Sequence, residues 1–203
     1  MPTSLRRRQS PRQRNRLVYG LVGLFTLVLL GSGAFLVAAH MEDDDSFCAS
    51  CHTEPESTFF ARTQASQAVD LASAHHLTDD PTQATRCIDC HSGSGVSGRA
   101  AAIALGATDM VSFVTGNARQ PAPLTSPIPD ANCLKCHADV TATRSFNRHF
   151  HRFLSQWQAV DRNAATCVSC HAGHAADGDP SLGFLNEQRA TDVCQACHRV
   201  AGE

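Results

Sequence analysis

The longest apolar stretch of the chain lies near its start, where residues 17–39 run for 23 positions without a charged side chain. A helix of about 20 apolar residues crosses a bilayer, so this stretch predicts a transmembrane helix. The apolar core of a cleaved secretory signal is only about 7–15 residues. The run therefore favours an uncleaved signal anchor; the alternative would cleave at Val37-Ala38-Ala39. Residues 98–116 read as an apolar helix interrupted at Gly106, too short, and too polar at Asp109, for a second crossing. That helix suits either a core position or a place along the membrane surface. Further on, Pro121, Pro123, Pro127 and Pro129 predict an extended, non-helical connector.

Charge gives the anchor a direction. Arg6, Arg7, Arg8, Arg12, Arg14 and Arg16 precede the apolar run, and Glu42, Asp43, Asp44 and Asp45 follow it. An excess of arginine holds a flank in the cytoplasm. The expected topology is a single-pass protein of the bacterial cytoplasmic membrane, N-terminus inside, with the rest on the periplasmic side. The part after residue 41 carries 11 basic and 19 acidic side chains. That balance argues against nucleic acid as a partner, which calls for a basic face.

All ten cysteines fall into five copies of Cys-x-x-Cys-His: Cys48/Cys51/His52, Cys87/Cys90/His91, Cys133/Cys136/His137, Cys167/Cys170/His171 and Cys194/Cys197/His198. This is the attachment signal of c-type haem. The two thiols add across the porphyrin vinyl groups and the histidine meets the iron from one face. Zinc sites and disulfides are the competing uses of paired cysteines. Zinc does not require a histidine after every second cysteine, and a disulfide framework has no reason to repeat one spacing five times. The expected cofactor is five covalent haems c, which agrees with an extracytoplasmic location.

Residues 42–203 are too few to enclose five porphyrins in a separate peptide core. The haems must themselves be the core. The expected fold is mainly α with much irregular loop, as a compact multihaem cytochrome c domain behind one transmembrane helix. The expected division is a basic tail (1–16), the anchor (17–41), a haem 1–2 unit with the membrane-surface helix (42–120), the connector (121–131) and a haem 3–5 unit (132–203).

Each iron has a second face. Outside the motifs stand His40, His75, His76, His149, His151 and His174, with Met110 as a less suitable thioether. Irons with two histidines have no vacancy for a substrate, so most of these haems are expected to carry electrons rather than make bonds.

The chain resembles the NapC/NirT family of membrane-anchored multihaem quinol dehydrogenases, and within it the short membrane subunits of cytochrome c nitrite reductase complexes. The likeness covers roughly residues 15–175. It rests on the anchor, four motifs in two pairs, Gly106-x-x-Asp109-x-x-x-Phe113-x-Thr115-Gly116, Arg148-His149-Phe150-His151, and His174 three residues past His171. The resemblance implies His75 or His76 on haem 4, His151 or else His149 on haem 3, and His174 on haem 2. Haem 5 has no counterpart in the four-haem form and would take a spare histidine of either pair. Asp109 matches an aspartate on the distal side of haem 1. Two departures stand out: Glu54 replaces a methionine ligand, which leaves His52 for haem 1, and the chain's single lysine, Lys135, lies inside motif 3.

The implied activity is oxidation of membrane quinol (menaquinol or ubiquinol) at haem 1, with Asp109 as proton acceptor. Electrons would leave for a periplasmic reductase or cytochrome. Haem 1 begins nine residues after the apolar run ends, which sets it near the membrane. Rival readings are an electron-relay subunit of a larger complex of the alternative complex III type, a small reductase with an open haem, and a sensor.

Overall fold

The computed structural model describes residues 11–51, 53–78, 84–122, 127–142, 149–161 and 164–201. His52, Arg148, Pro123 and the arginines at 6–8 lie outside the described residues. The chain divides into two compact units, Met1–Glu42 and Asp43–Glu203. The fold is mainly helical, and among the described residues the sole β pairing is an isolated antiparallel bridge between Asp179 and Leu185.

The first unit is the helix α1 (Pro11–Met41), 31 residues long with none buried. At about 1.5 Å per residue it is about 46 Å long, against about 30 Å of bilayer hydrocarbon. It is long and apolar enough to cross a membrane. Its described part takes in six residues before the apolar run.

The second unit is built of short helices: α2 (Asp45–Cys51), α3 (Glu56–Thr63), α4 (Leu71–His76), α5 (Cys87–His91), α6 (Gly95–Val114), α7 (Asp130–Cys133), α8 (Ala138–Ala142), α9 (His149–Val160), α10 (Cys167–Cys170) and α11 (Glu187–Ala201). Several start at capping boxes. Helix α4 begins at a capping box: the Asp70 carboxylate accepts the Ser73 N–H at 2.8 Å, and the Ser73 hydroxyl accepts the Asp70 N–H at 3.0 Å. Both side chains are fully buried.

Helix α6 corrects one expectation. It runs unbroken for 20 residues through Gly106. A glycine inside a helix costs only about 1 kcal/mol relative to alanine, too little to interrupt a run this long. None of its residues is buried, and Val96, Leu105, Met110, Val111, Phe113 and Val114 are exposed.

The peptide core is small. Among the described residues the buried hydrophobic side chains are Leu154, Trp157, Ala165, Cys170 and Phe184. Leu154 and Trp157 of α9 pack with Ala165, and Phe150, Ala164, Val193 and Cys197 close round them. Phe150 meets Trp157 edge to face with ring centroids 5.9 Å apart.

Candidate haem sites

All ten cysteines are unbridged. Among the described residues, no group of three or more His, Cys, Asp or Glu side chains is arranged to hold a bare metal ion. The motifs sit on or beside single helical turns. Motif 2 is helix α5 itself, Cys48 and Cys51 lie on α2, Cys133 closes α7, Cys167 and Cys170 span α10, and motif 5 lies on α11. Positions three apart face the same side of a helix, so each turn presents its two sulfurs together.

Cys136 differs from the other attachment cysteines in lying off a helix. Helix α7 ends at Cys133, so Cys136 lies beyond the helix, in the turn that follows it, and it is exposed. Its N–H still donates to the Cys133 carbonyl at 3.2 Å, which keeps the two residues one turn apart although the helix has stopped. Cys194 is exposed as well, on α11. The remaining eight are half-buried or, at Cys170, buried. In the same turn Lys135 and His137 are exposed beside Cys136.

Successive motifs abut. The Cys87 thiol is hydrogen-bonded to Cys48, which together with burial and the Asp45 carboxylate raises it above its ordinary value. Burial, then the neighbouring Cys133, raises Cys90. Burial, Asp130 and Cys133 push Cys167 up to about 12. Burial, then Cys194, raises Cys170. The helices that bear them are in contact in the same order, α2 with α5, α5 with α7, α7 with α10 and α10 with α11. Side chains join the turns as well. Asp45 accepts the Cys87 N–H at 2.8 Å, the Asn132 amide donates to the Cys90 carbonyl at 2.7 Å, and Asp130 accepts the Cys167 N–H at 2.7 Å.

The imidazoles give the sharpest test of whether haem fits. A first-row metal sits about 2 Å from an imidazole nitrogen, and the ring centroid lies about 1 Å further on, so two histidines facing each other across one metal have centroids about 6 Å apart. His91 and His174 are 6.3 Å apart with planes 11° from parallel. His151 and His171 are 6.3 Å apart at 15°. His75 and His137 are 5.9 Å apart at 89°. Each pair joins a motif histidine to one of the candidates outside the motifs, at the spacing an intervening iron requires.

The surroundings of these rings orient them. The Nδ1 atoms of His75 and His171 lie 2.8 Å from the carbonyls of Leu71 and Gly183. Donation from Nδ1 to a carbonyl fixes the tautomer and leaves Nε2 with its lone pair, the form that binds a metal. Gly183 adopts φ +66° after the 3-10 turn Pro180–Leu182, a conformation that a side chain would strain, and it is this turn that delivers the carbonyl to His171. Phe59 lies flat on His174, with centroids 4.0 Å apart and planes 6° from parallel. Arg62 donates to both the Asp70 carboxylate, at 3.0 Å, and the His174 carbonyl, at 2.9 Å. Desolvation pushes both His91 and His174 below their ordinary value, in the direction of the neutral form that binds a metal.

Residues 117–199 match the cytochrome c3 family. The match spans motifs 3 to 5. The chain is a multihaem c-type cytochrome with covalently bound haem c and a role in electron transfer. No curated protein and no solved structure matches it.

In the structure His174 lies opposite His91, His75 opposite His137 and His151 opposite His171, whereas the resemblance implies His75 or His76 on haem 4 and His151 or else His149 on haem 3. The arrangement follows from the helices. Helix α9 turns His151 towards the end of α10, while α4 carries His75 towards the turn after α7. His76, on the next position of α4, points elsewhere: its Nδ1 is 3.6 Å from Asp45 and 3.3 Å from the Thr85 carbonyl. His149 is exposed at the start of α9, His198 is exposed on α11, and Asp109 is half-buried on α6. Sequence reasoning missed Asp45, Asp130, Asn132, Phe59, Arg62, Asp70 and Gly183. Only the two aspartates Asp45 and Asp130 left a trace, as the repeated Asp-x-x-Cys-x-x-Cys-His of motifs 1 and 3.

Proposed function

We propose that the protein is a membrane-anchored pentahaem cytochrome that accepts electrons from membrane quinol near haem 1 and delivers them to a periplasmic redox partner. The observation that carries the electron-transfer part is the trio of facing imidazole pairs along a continuous row of attachment turns. Such pairs leave no open position for a substrate. In this reading Cys87/Cys90, Cys133/Cys136 and Cys167/Cys170 would attach haems, with His91 and His174, His137 and His75, and His171 and His151 as the residues that would hold their irons. The exposure of Cys136 does not conflict with this role, because a thioether bond needs the sulfur to reach a vinyl group and does not need the peptide to bury it. Motifs 1 and 5 attach the remaining two through His52 and His198, with His76 and His149 left as candidates for the second face of haem 5. Haem c supplies the one-electron chemistry.

Quinol oxidation also releases protons, which haem does not take up. That task falls to Asp109, provided that it is ionised and within hydrogen-bond reach of a quinol hydroxyl. Support comes from the resemblance around residues 106–116, from the exposed apolar side chains of α6, and from the anchor. Detergent-purified protein should be reduced by a menaquinol analogue without any partner. Asp109→Asn should slow that reaction while dithionite still reduces every haem. No reduction of the wild type by quinol would favour the relay reading, in which a separate membrane subunit oxidises quinol.

A further inference from the structure

The attachment turns of motifs 1 to 4 are joined by side chains, and two of the three joints repeat. Asp45 is the first residue of α2 and stands three residues before Cys48; Asp130 is the first residue of α7 and stands three residues before Cys133. Each reaches across to the next motif, where Cys87 and Cys167 are the first residues of α5 and α10. There each carboxylate accepts the cysteine N–H, at 2.8 Å and 2.7 Å. A first-turn N–H has no partner within its own helix, so in both places a preceding motif supplies the cap. The second oxygen of Asp45 lies 3.6 Å from His76 Nδ1, and that of Asp130 accepts the Gln158 amide at 2.7 Å. Between these two joints Asn132, a buried residue one place before Cys133, ties motif 3 back to the Cys90 carbonyl at 2.7 Å.

We propose that Asp45 and Asp130 are positioning residues that fix the separation and mutual orientation of the haems on motifs 1 and 2 and on motifs 3 and 4, with Asn132 as the joint between the two pairs. The domain is then two copies of one bracketed unit, Asp-x-x-Cys-x-x-Cys-His joined to a following Cys-x-x-Cys-His, plus motif 5. An attachment turn carries its haem through two thioether bonds, so a shift of one turn against the next displaces one porphyrin against its neighbour. The brackets hold that displacement fixed without touching an iron.

This inference rests on the reading that the motifs carry haem, and intact mass checks that reading separately on the wild type. The test compares Asp45→Ala, Asp130→Ala and the corresponding Asn variants in the full-length, detergent-solubilised protein. The readouts are the excitonic couplet in Soret circular dichroism and the spread of midpoint potentials in a redox titration. Alanine should give full haem mass with loss of part of the couplet and a changed spread. Asparagine, which retains an acceptor oxygen at the same place, should preserve both. If an alanine variant fails to take up its haems, Asp130→Glu replaces it: one added methylene displaces the carboxylate, and an altered couplet at full haem mass is expected. An unchanged couplet in the alanine or glutamate variants would overturn the proposal, as would equal losses in alanine and asparagine.

Discussion

Replacing Asp70 with alanine should destabilise the haem domain by about 3 kcal/mol. The carboxylate is fully buried and has two separate tasks. It caps α4 through Ser73, a contact worth about 1 kcal/mol. It also receives a charge-assisted hydrogen bond from the part-buried Arg62 at 3.0 Å, and such bonds contribute about 1.5–3 kcal/mol. The sum is a large share of the 5–15 kcal/mol, roughly, that holds a typical domain together. Asp70→Asn separates the tasks, because asparagine caps as well as aspartate but lacks the charge; it should lose only the Arg62 part. The assay is guanidinium unfolding followed by far-ultraviolet circular dichroism in detergent. The same contact sets a pH dependence. Burial opposes ionisation, but hydrogen bonds from Ser73 and Arg62 outweigh it and hold Asp70 below its ordinary value of 3.8. A group with a depressed folded value stabilises above its unfolded value and loses that contribution as pH falls through the folded one. Wild type should therefore lose stability on acidification below about pH 4, and Asp70→Asn should show a smaller loss in the same window. An alanine variant within 1 kcal/mol of wild type, roughly the size of the cap alone, would refute the assignment of Arg62 and Asp70 as a stabilising pair.

The ring angles make a spectroscopic prediction. Near-parallel axial imidazoles, as at His91/His174 and His151/His171, should give rhombic low-spin ferric signals, whereas the perpendicular pair His75/His137 should give a large-gmax signal; electron paramagnetic resonance of the oxidised protein checks this. His75→Ala should remove the large-gmax signal and leave the rhombic ones, while His151→Ala should remove one rhombic signal and leave the large-gmax one; the opposite result would refute this pairing of the rings. Gly183→Ala should cost about 1–2 kcal/mol because of its left-handed backbone and should shift the His171 site's signal, since the carbonyl it supplies moves with the turn. Phe59→Ala should leave haem mass unchanged but broaden the His91/His174 signal, because the ring that lies flat on His174 is then gone.

How much of this was legible in the sequence depended on whether the chemistry was local. Attachment residues are a contiguous pentad, so Cys48 to His198 could be read directly. Their unequal surroundings could not: Cys136 and Cys170 hold the same place in identical motifs, yet one is exposed and the other buried, because the covering segments come from elsewhere in the chain. The long apolar helix near the N-terminus was as plain as the pentads, since one uncharged run carries it. Pairing was not. His75 and His137 are joined by the course of α4 and α7 through space, and nothing in the neighbourhood of either histidine encodes the other. Two adjacent histidines, His75 and His76, point in different directions because successive helical positions are turned by about 100°, so composition cannot choose between them. Gly106 misled for a different reason: propensity is a weak prior, and the apolar residues on both sides carry the helix through it. The orienting shell of Phe59, Arg62 and Gly183 lies far along the chain from the rings it serves, or acts through backbone, and carries no motif.

The size of the peptide core connects these observations. A unit spanning Asp43–Glu203 would ordinarily bury a continuous apolar interior, yet the described part buries Leu154, Trp157, Ala165, Cys170 and Phe184 as its apolar side chains. Conformational entropy of about 1–2 kcal/mol per ordered residue must still be offset, and these few side chains at about 1.5–3 kcal/mol each fall far short. Hydrogen bonds add only about 1 kcal/mol each on balance. The missing apolar surface has to come from the porphyrins. The protein contributes what porphyrins lack, namely direction: capped turns that present sulfurs, carbonyls that hold imidazoles in one tautomer, and buried Asp70, Asp45 and Asn132 that tolerate one arrangement and penalise others. Polar residues in such a thin core cost stability when unpaired, so the bonds that Asp70, Asp45 and Asn132 make are what turn a generic collapse around haem into a defined row of sites.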